Sequence, residues 1–151
     1  MAERELLLHV GTHKTGTTAI QAHMSQCRVE LAAQGILYPS LRPGLWNERE
    51  AHHKVAQAVL RSSLIDRSRL RRYRRWLDQA QTWARVTVLS AEPIYRHTVG
   101  EVTADDMPGW FTAHRNYLRR LAAWLAGFDV RPVVYFRQPD DLAISMYKEH
   151  V

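Results

Sequence analysis

The densest chemistry in the sequence is the run Gly11-Thr12-His13-Lys14-Thr15-Gly16-Thr17-Thr18. A glycine-containing turn that opens a helix is an anion cradle: backbone N–H groups converge at the helix N-terminus, and the helix dipole favours negative charge there. Lys14 adds a full positive charge, the hydroxyls of Thr15, Thr17 and Thr18 add donors, and His13 sits in the same turn. Gly11 and Gly16 allow close approach of the backbone to an anion. Most such turns hold nucleoside triphosphates, whose signature places Lys directly after the second Gly and directly before Ser or Thr. Here Lys14 precedes Gly16, so that spacing is absent.

A second constellation suited to phosphate lies near the end of the chain. In Tyr135-Phe136-Arg137-Gln138-Pro139-Asp140-Asp141-Leu142-Ala143-Ile144-Ser145-Met146-Tyr147, an arginine at a strand end is followed by a serine one to two turns into the next helix. Alone, Arg137 reads as a strand-end cation paired with a nearby carboxylate. With Ser145, and with the first turn elsewhere in the chain, it becomes a candidate for a second phosphate. Charge-assisted hydrogen bonds of this kind contribute about 1.5–3 kcal/mol each.

The run His-x-Gly-x-x-Lys-Thr-Gly-Thr-Thr from His9 to Thr18, with Gln21 after it, resembles the 5′-phosphosulfate loop of sulfotransferases that use 3′-phosphoadenosine 5′-phosphosulfate (PAPS), in particular bacterial ones. The segment around Arg137 and Ser145 resembles the same family's 3′-phosphate motif. The resemblance implies PAPS as co-substrate, held by Gly11, His13, Lys14, Thr15, Gly16, Thr17 and Thr18 at one end and by Arg137 and Ser145 at the other. It implies in-line transfer of a sulfuryl group to an acceptor hydroxyl, without a metal, Lys14 neutralising the oxygen that bridges sulfur and the 5′-phosphate. A His or carboxylate on the acceptor side would serve as general base: His52 and His53 are favoured, Glu48 and Glu50 are rivals, and Glu92 could orient the acceptor or the lysine. His9 and His13 read as local hydrogen-bonding residues. The family's domains are longer, so the resemblance also implies that this sequence corresponds to their amino-terminal portion, with activity of the chain alone in question.

The elements that must position these residues follow from pattern. Glu5 to Val10 is a compact apolar run ending in Gly11, a buried strand feeding the turn. The helix that follows carries Ile20, Met24, Cys27 and Leu31 at helical spacing and is closed by Gly35; a short extended piece through Pro39 and a Pro/Gly/Asn-rich loop to about Glu48 come next. Two helices are expected over about 51–64, with Ala56, Val59, Leu60 and Leu64 inward, and about 68–84, with Leu70, Tyr73, Leu77 and Ala80 inward. Val86 to Leu89 is a strand ending at Ser90-Ala91-Glu92. A helix over about 108–126 presents Phe111, His114, Leu118, Leu121 and Leu125, with His114 read as a core histidine. Val130 to Phe136 is a strand ending in Arg137, and a last helix opens at Pro139. Strands alternating with helices predict one α/β domain over residues 1–151 with a P-loop-like parallel sheet, its ligand sites at the carboxyl ends of the strands.

Composition narrows the partners. The chain has 151 residues, 46% hydrophobic and 24% charged, with 21 Lys and Arg against 15 Asp and Glu. That size and balance suit one globular domain, and the net charge of +6 favours anionic partners, an acidic glycan among them. Cys27 is the single cysteine, which excludes an internal disulfide. No apolar stretch approaches the roughly 20 residues of a membrane span, and the charged start lacks a secretory apolar core, so a cytoplasmic protein is expected. No helix-turn-helix or stacking motif points to nucleic acid. Two other readings compete. A divergent P-loop kinase would use ATP with Mg²⁺, but the strands do not end in the Asp usually expected to hold that metal. A non-catalytic module for acidic glycan would use the run Arg67, Arg69, Arg71, Arg72, Arg74 and Arg75, whose plainer explanation is a solvated helix face.

Overall fold

The leucines at the start of the chain form β1 (Glu5–Gly11), one of the two inner strands of the sheet. The computed structural model describes residues 4–11, 16–40, 51–96 and 107–135, together with 138 and 140. Within them, β2 (Ile36–Leu37), β3 (Val86–Ser90) and β4 (Asp129–Tyr135) join β1 in the order β2-β3-β1-β4, every pairing parallel. The helices are α1 (Thr17–Gln26), α2 (Arg28–Ala33), α3 (His53–Arg61), α4 (Leu64–Ala80), α5 (Pro93–Arg96) and α6 (Met107–Trp124). This is the expected α/β architecture: a parallel sheet flanked by helices, of the P-loop-like kind.

Strand alternation divides the sheet into two unlike faces. Leu6, Leu8 and Val10, with Leu89 beside them, join the main core, built from Val55, Ala56 and Val59 of α3, Leu70, Tyr73 and Leu77 of α4, and Tyr117 and Leu121 of α6. Each large aliphatic buried there contributes about 1.5–3 kcal/mol. The opposite face, with Leu7, His9, Val88, Ser90 and Val133, lies against Ile20 and Met24 of α1 around a cavity of about 150 Å³. The chain therefore leaves β1 for α1 on one face and β3 for α6 on the other. In open α/β sheets ligands bind outside the strand ends where neighbouring strands diverge in this way, and in this sheet that divergence lies between β1 and β3.

Several boundaries differ from the sequence reading. The first helix breaks in two at Cys27, which is half-buried at the junction rather than part of a buried stripe. The helix expected to open near residue 68 begins at Leu64, because Ser62 is in the left-handed region (φ 53°) and Ser63 caps α4: the Asp66 N–H donates to Ser63 Oγ (3.1 Å), which donates to the Asp66 carboxylate (2.7 Å). Leu64, expected to face inward from the preceding helix, is instead 84% exposed. On α6 the buried stripe is rotated from the expected one: Tyr117, Leu121 and Leu125 are inside, while Phe111 and Leu118 face out. Arg120, which donates to the carbonyls of Val59 and Leu60, fixes that rotation against α3.

Candidate functional site

β1 ends at Gly11 and α1 begins at Thr17, so the turn between them lies at the carboxyl end of an inner strand. Gly16, the residue before α1, has φ 78° and ψ 11°. A Cβ added there would meet nothing within 4 Å, so what favours glycine is the left-handed backbone rather than lack of room. Its carbonyl accepts from the N–H groups of Ala19 and Ile20. Among the described residues no side chain caps α1, and no acid lies in its first turn. The first N–H groups of any helix lack intrahelical partners, so those of Thr17 and Thr18 are presented at an electropositive end. Thr17 is buried and Thr18 exposed.

Between β1, β3 and the start of α1 lies a buried polar network with Ser90 at its hub. Parallel register sets His9 beside Ser90, with Nδ1 and Oγ 2.7 Å apart. Gln21, one turn into α1, donates from Nε2 to the same Oγ at 2.9 Å. The Ser90 N–H donates to His52 Nδ1 (2.9 Å), the His52 N–H donates to the Ser90 carbonyl (2.8 Å), and His52 Nε2 lies 2.7 Å from the Pro39 carbonyl. Since a backbone N–H can only donate, Nδ1 of His52 carries no proton, and the ring proton is on Nε2, donated to Pro39. His9, Gln21, His52, Ser90 and Thr17 are all at least nine-tenths buried. The network joins β1, α1, β3 and the start of α3 at one level of the sheet.

The electrostatics follow from burial. His52 is pushed down to about 4, first by desolvation, which outweighs its two backbone hydrogen bonds. His9 is also lowered by burial, with partial compensation from the Glu92 carboxylate. His9 Nε2 is buried and finds no hydrogen-bond partner among the described residues.

Of the residues singled out in the sequence, the structure gathers Gly11, Gly16, Thr17, Thr18, His52, His53 and Glu92 around the ends of β1 and β3. His13, Lys14, Thr15, Arg137, Ser145, Glu48 and Glu50 lie outside the described residues, as does most of the expected last helix from Pro139. Both ring nitrogens of His52 are engaged and its ring is 1% exposed, a geometry that suits holding β3 to the Pro39 segment better than accepting a substrate proton. His53, next to it, is half-buried. Glu92 is half-buried just past β3, where the Ala91 N–H still donates to the His9 carbonyl at 2.9 Å. Ser90 was placed at a strand end by the sequence without a role, and His9 read as a local hydrogen-bonding residue. The signal available was polar residues closing two apolar strands; what it lacked was the register that sets them side by side.

Size separates the hollows. The 150 Å³ cavity under α1 is too small for a nucleotide, since ligand pockets of about 300–1,000 Å³ are usual. A concavity of about 540 Å³ is lined only by residues of α6, such as Phe111 and Leu118, and one face of a single helix encloses nothing. Comparison of the chain with protein-family models, curated proteins and solved structures returned no match.

Proposed function

We propose that this chain binds the 5′-phosphosulfate of PAPS at the turn between β1 and α1, and that it is a PAPS-dependent sulfotransferase or the cofactor-binding part of one. The observation that carries this reading is the start of α1, without a side-chain cap or an acid among the described residues and preceded by a left-handed Gly16, after an inner strand that ends at Gly11. The order of Lys14 and Gly16 departs from the triphosphate signature, the run from His9 to Thr18 resembles a phosphosulfate loop, and Arg137 with Ser145 would add selectivity for a 3′-phosphate.

In this reading the Thr17 and Thr18 amides hold the 5′-phosphate, and Lys14 neutralises charge on the bridging oxygen as the acceptor hydroxyl attacks sulfur in line. Glu92 is the preferred proton acceptor, since it follows β3 next to Ala91, whose N–H donates to the His9 carbonyl of β1; His53 is the second choice. His52 is a positioning residue, holding Ser90 and so the end of β3. The acceptor is a hydroxyl compound, with an acidic glycan compatible with the net charge of +6.

The test is calorimetric titration of the chain with 3′,5′-bisphosphoadenosine, beside ATP with Mg²⁺, repeated with Lys14→Ala and Arg137→Ala. Binding of the bisphosphate, weakened about tenfold or more by each substitution, with ATP ignored, is the expected result. Preference for ATP with Mg²⁺ would replace this reading with a kinase. Binding of neither by a folded sample would remove the nucleotide reading for this chain.

A further inference from the structure

The arginine run of α4 separates by role. Arg74 is spent on structure: it pairs with Asp78 (3.1 Å), donates to the carbonyls of Trp124 and Ala126, and lies over the Phe128 ring. Arg67, Arg71, Arg72 and Arg75 are exposed on the side away from the buried stripe of Leu70, Tyr73 and Leu77, Arg67 donating from Nε to the Ser62 carbonyl at 2.9 Å. Among the described residues none of these four pairs with a carboxylate. The acids of α4 are already engaged: Asp66 is buried with Ser63 and Arg61, and Asp78 is shared by Arg74 and Arg4. The outer face is thus cationic and free of acid along about 17 Å from Leu64 to Arg75 at the helical rise.

A solvated basic helix would need nothing more. This one opens with two adjacent aliphatics, Leu64 at 84% and Ile65 at 66% exposure. Leaving both in water forgoes burial, and they lie in the same helix as the four arginines. Soluble polyanions, glycan or nucleic acid, engage arginines and gain little from an exposed Leu-Ile pair. An anionic bilayer surface uses both: aliphatics enter the headgroup boundary while arginines meet lipid phosphates and carboxylates. No helix among the described residues is long and apolar enough to cross a membrane, so the contact is peripheral.

We propose that the outer face of α4 docks on anionic lipid surfaces, with Leu64 and Ile65 entering the headgroup region and Arg67, Arg71, Arg72 and Arg75 held against the lipid charges. The inference does not depend on the nucleotide site. It is tested by co-sedimentation of the whole chain with vesicles of phosphatidylcholine alone and of phosphatidylcholine mixed with phosphatidylserine, with heparin binding measured in parallel. The substituted side chains are exposed, and circular dichroism checks that each variant keeps its fold. Expected is partition onto the mixed vesicles only, falling with added salt. Arg71→Ala with Arg75→Ala lowers it about thirtyfold, roughly fivefold per arginine. Leu64→Ser with Ile65→Ser lowers it about tenfold while leaving heparin binding unchanged. No partition, equal partition onto neutral vesicles, or partition indifferent to the Leu64 and Ile65 substitutions would each overturn the proposal. The last outcome, with arginine-dependent heparin binding, would assign the face to a soluble polyanion.

Discussion

His52 illustrates how one side chain ties separate parts of the chain together. Its folded-state pKa of about 4 lies below the ordinary 6.5, so the unfolded chain binds the proton more readily. The stability this histidine supports is therefore complete above about pH 6.5 and is lost as pH falls toward 4. The whole effect is on the order of 3 kcal/mol, with about 2 kcal/mol gone by pH 5. Urea unfolding at pH 7 and pH 5 is expected to show that loss in the wild type and a much flatter response in His52→Gln, which can still accept from Ser90 and donate to Pro39. An equal pH response in both would remove His52 as its source. Ser90→Ala strips the hub of its hydroxyl and leaves Gln21 Nε2 and His9 Nδ1 without their shared partner. The expected cost is about 1–3 kcal/mol. A double-mutant cycle with Gln21→Ala is expected to give a coupling above about 0.5 kcal/mol, and additivity would deny the network.

The elements obey their end signals more than their periodicity. Ser63 starts α4 four residues earlier than the apolar pattern suggested, and this is what exposes Leu64. Ser63→Ala is expected to cost about 1 kcal/mol, as cap losses typically do, and to raise amide exchange in the first turn of α4 only. At the start of α1 the residue before the helix, Gly16, contributes a left-handed backbone and no side chain. Gly16→Ala places a Cβ in open space but in the left-handed region, so the expected loss is about 1–2 kcal/mol in thermal unfolding. A neutral result would mean that the turn relaxes and that its geometry is not held by the fold.

At the scale of the molecule, one core joins the sheet to α3, α4 and α6, and Arg74 fastens the far ends of α4 and α6 through two carbonyls, a carboxylate and a ring. A compact ammonium does not reproduce a planar fork, so Arg74→Lys is expected to lower unfolding free energy by about 1–2 kcal/mol in urea titration; full retention would show that charge alone suffices. The alternation of strands and helices was legible in the sequence because each segment's local pattern of apolar residues matches the face it buries: β1, β3 and the Leu70-Tyr73-Leu77 stripe of α4 are where pattern placed them. The strand end at Gly11 and the helix that follows Gly16 were legible too, since both are marked by local pattern. Other features needed the third dimension. The rotation of α6 depends on Arg120 reaching carbonyls some 60 positions away. The pairing of His9 with Ser90 spans 81 positions and exists only through parallel register. His52 read as a base because its type suits one, and its burial, with both nitrogens engaged, is a property of three distant segments meeting. Local pattern encodes what a segment can become; which side chains share a proton or a cavity is decided only when those segments pack.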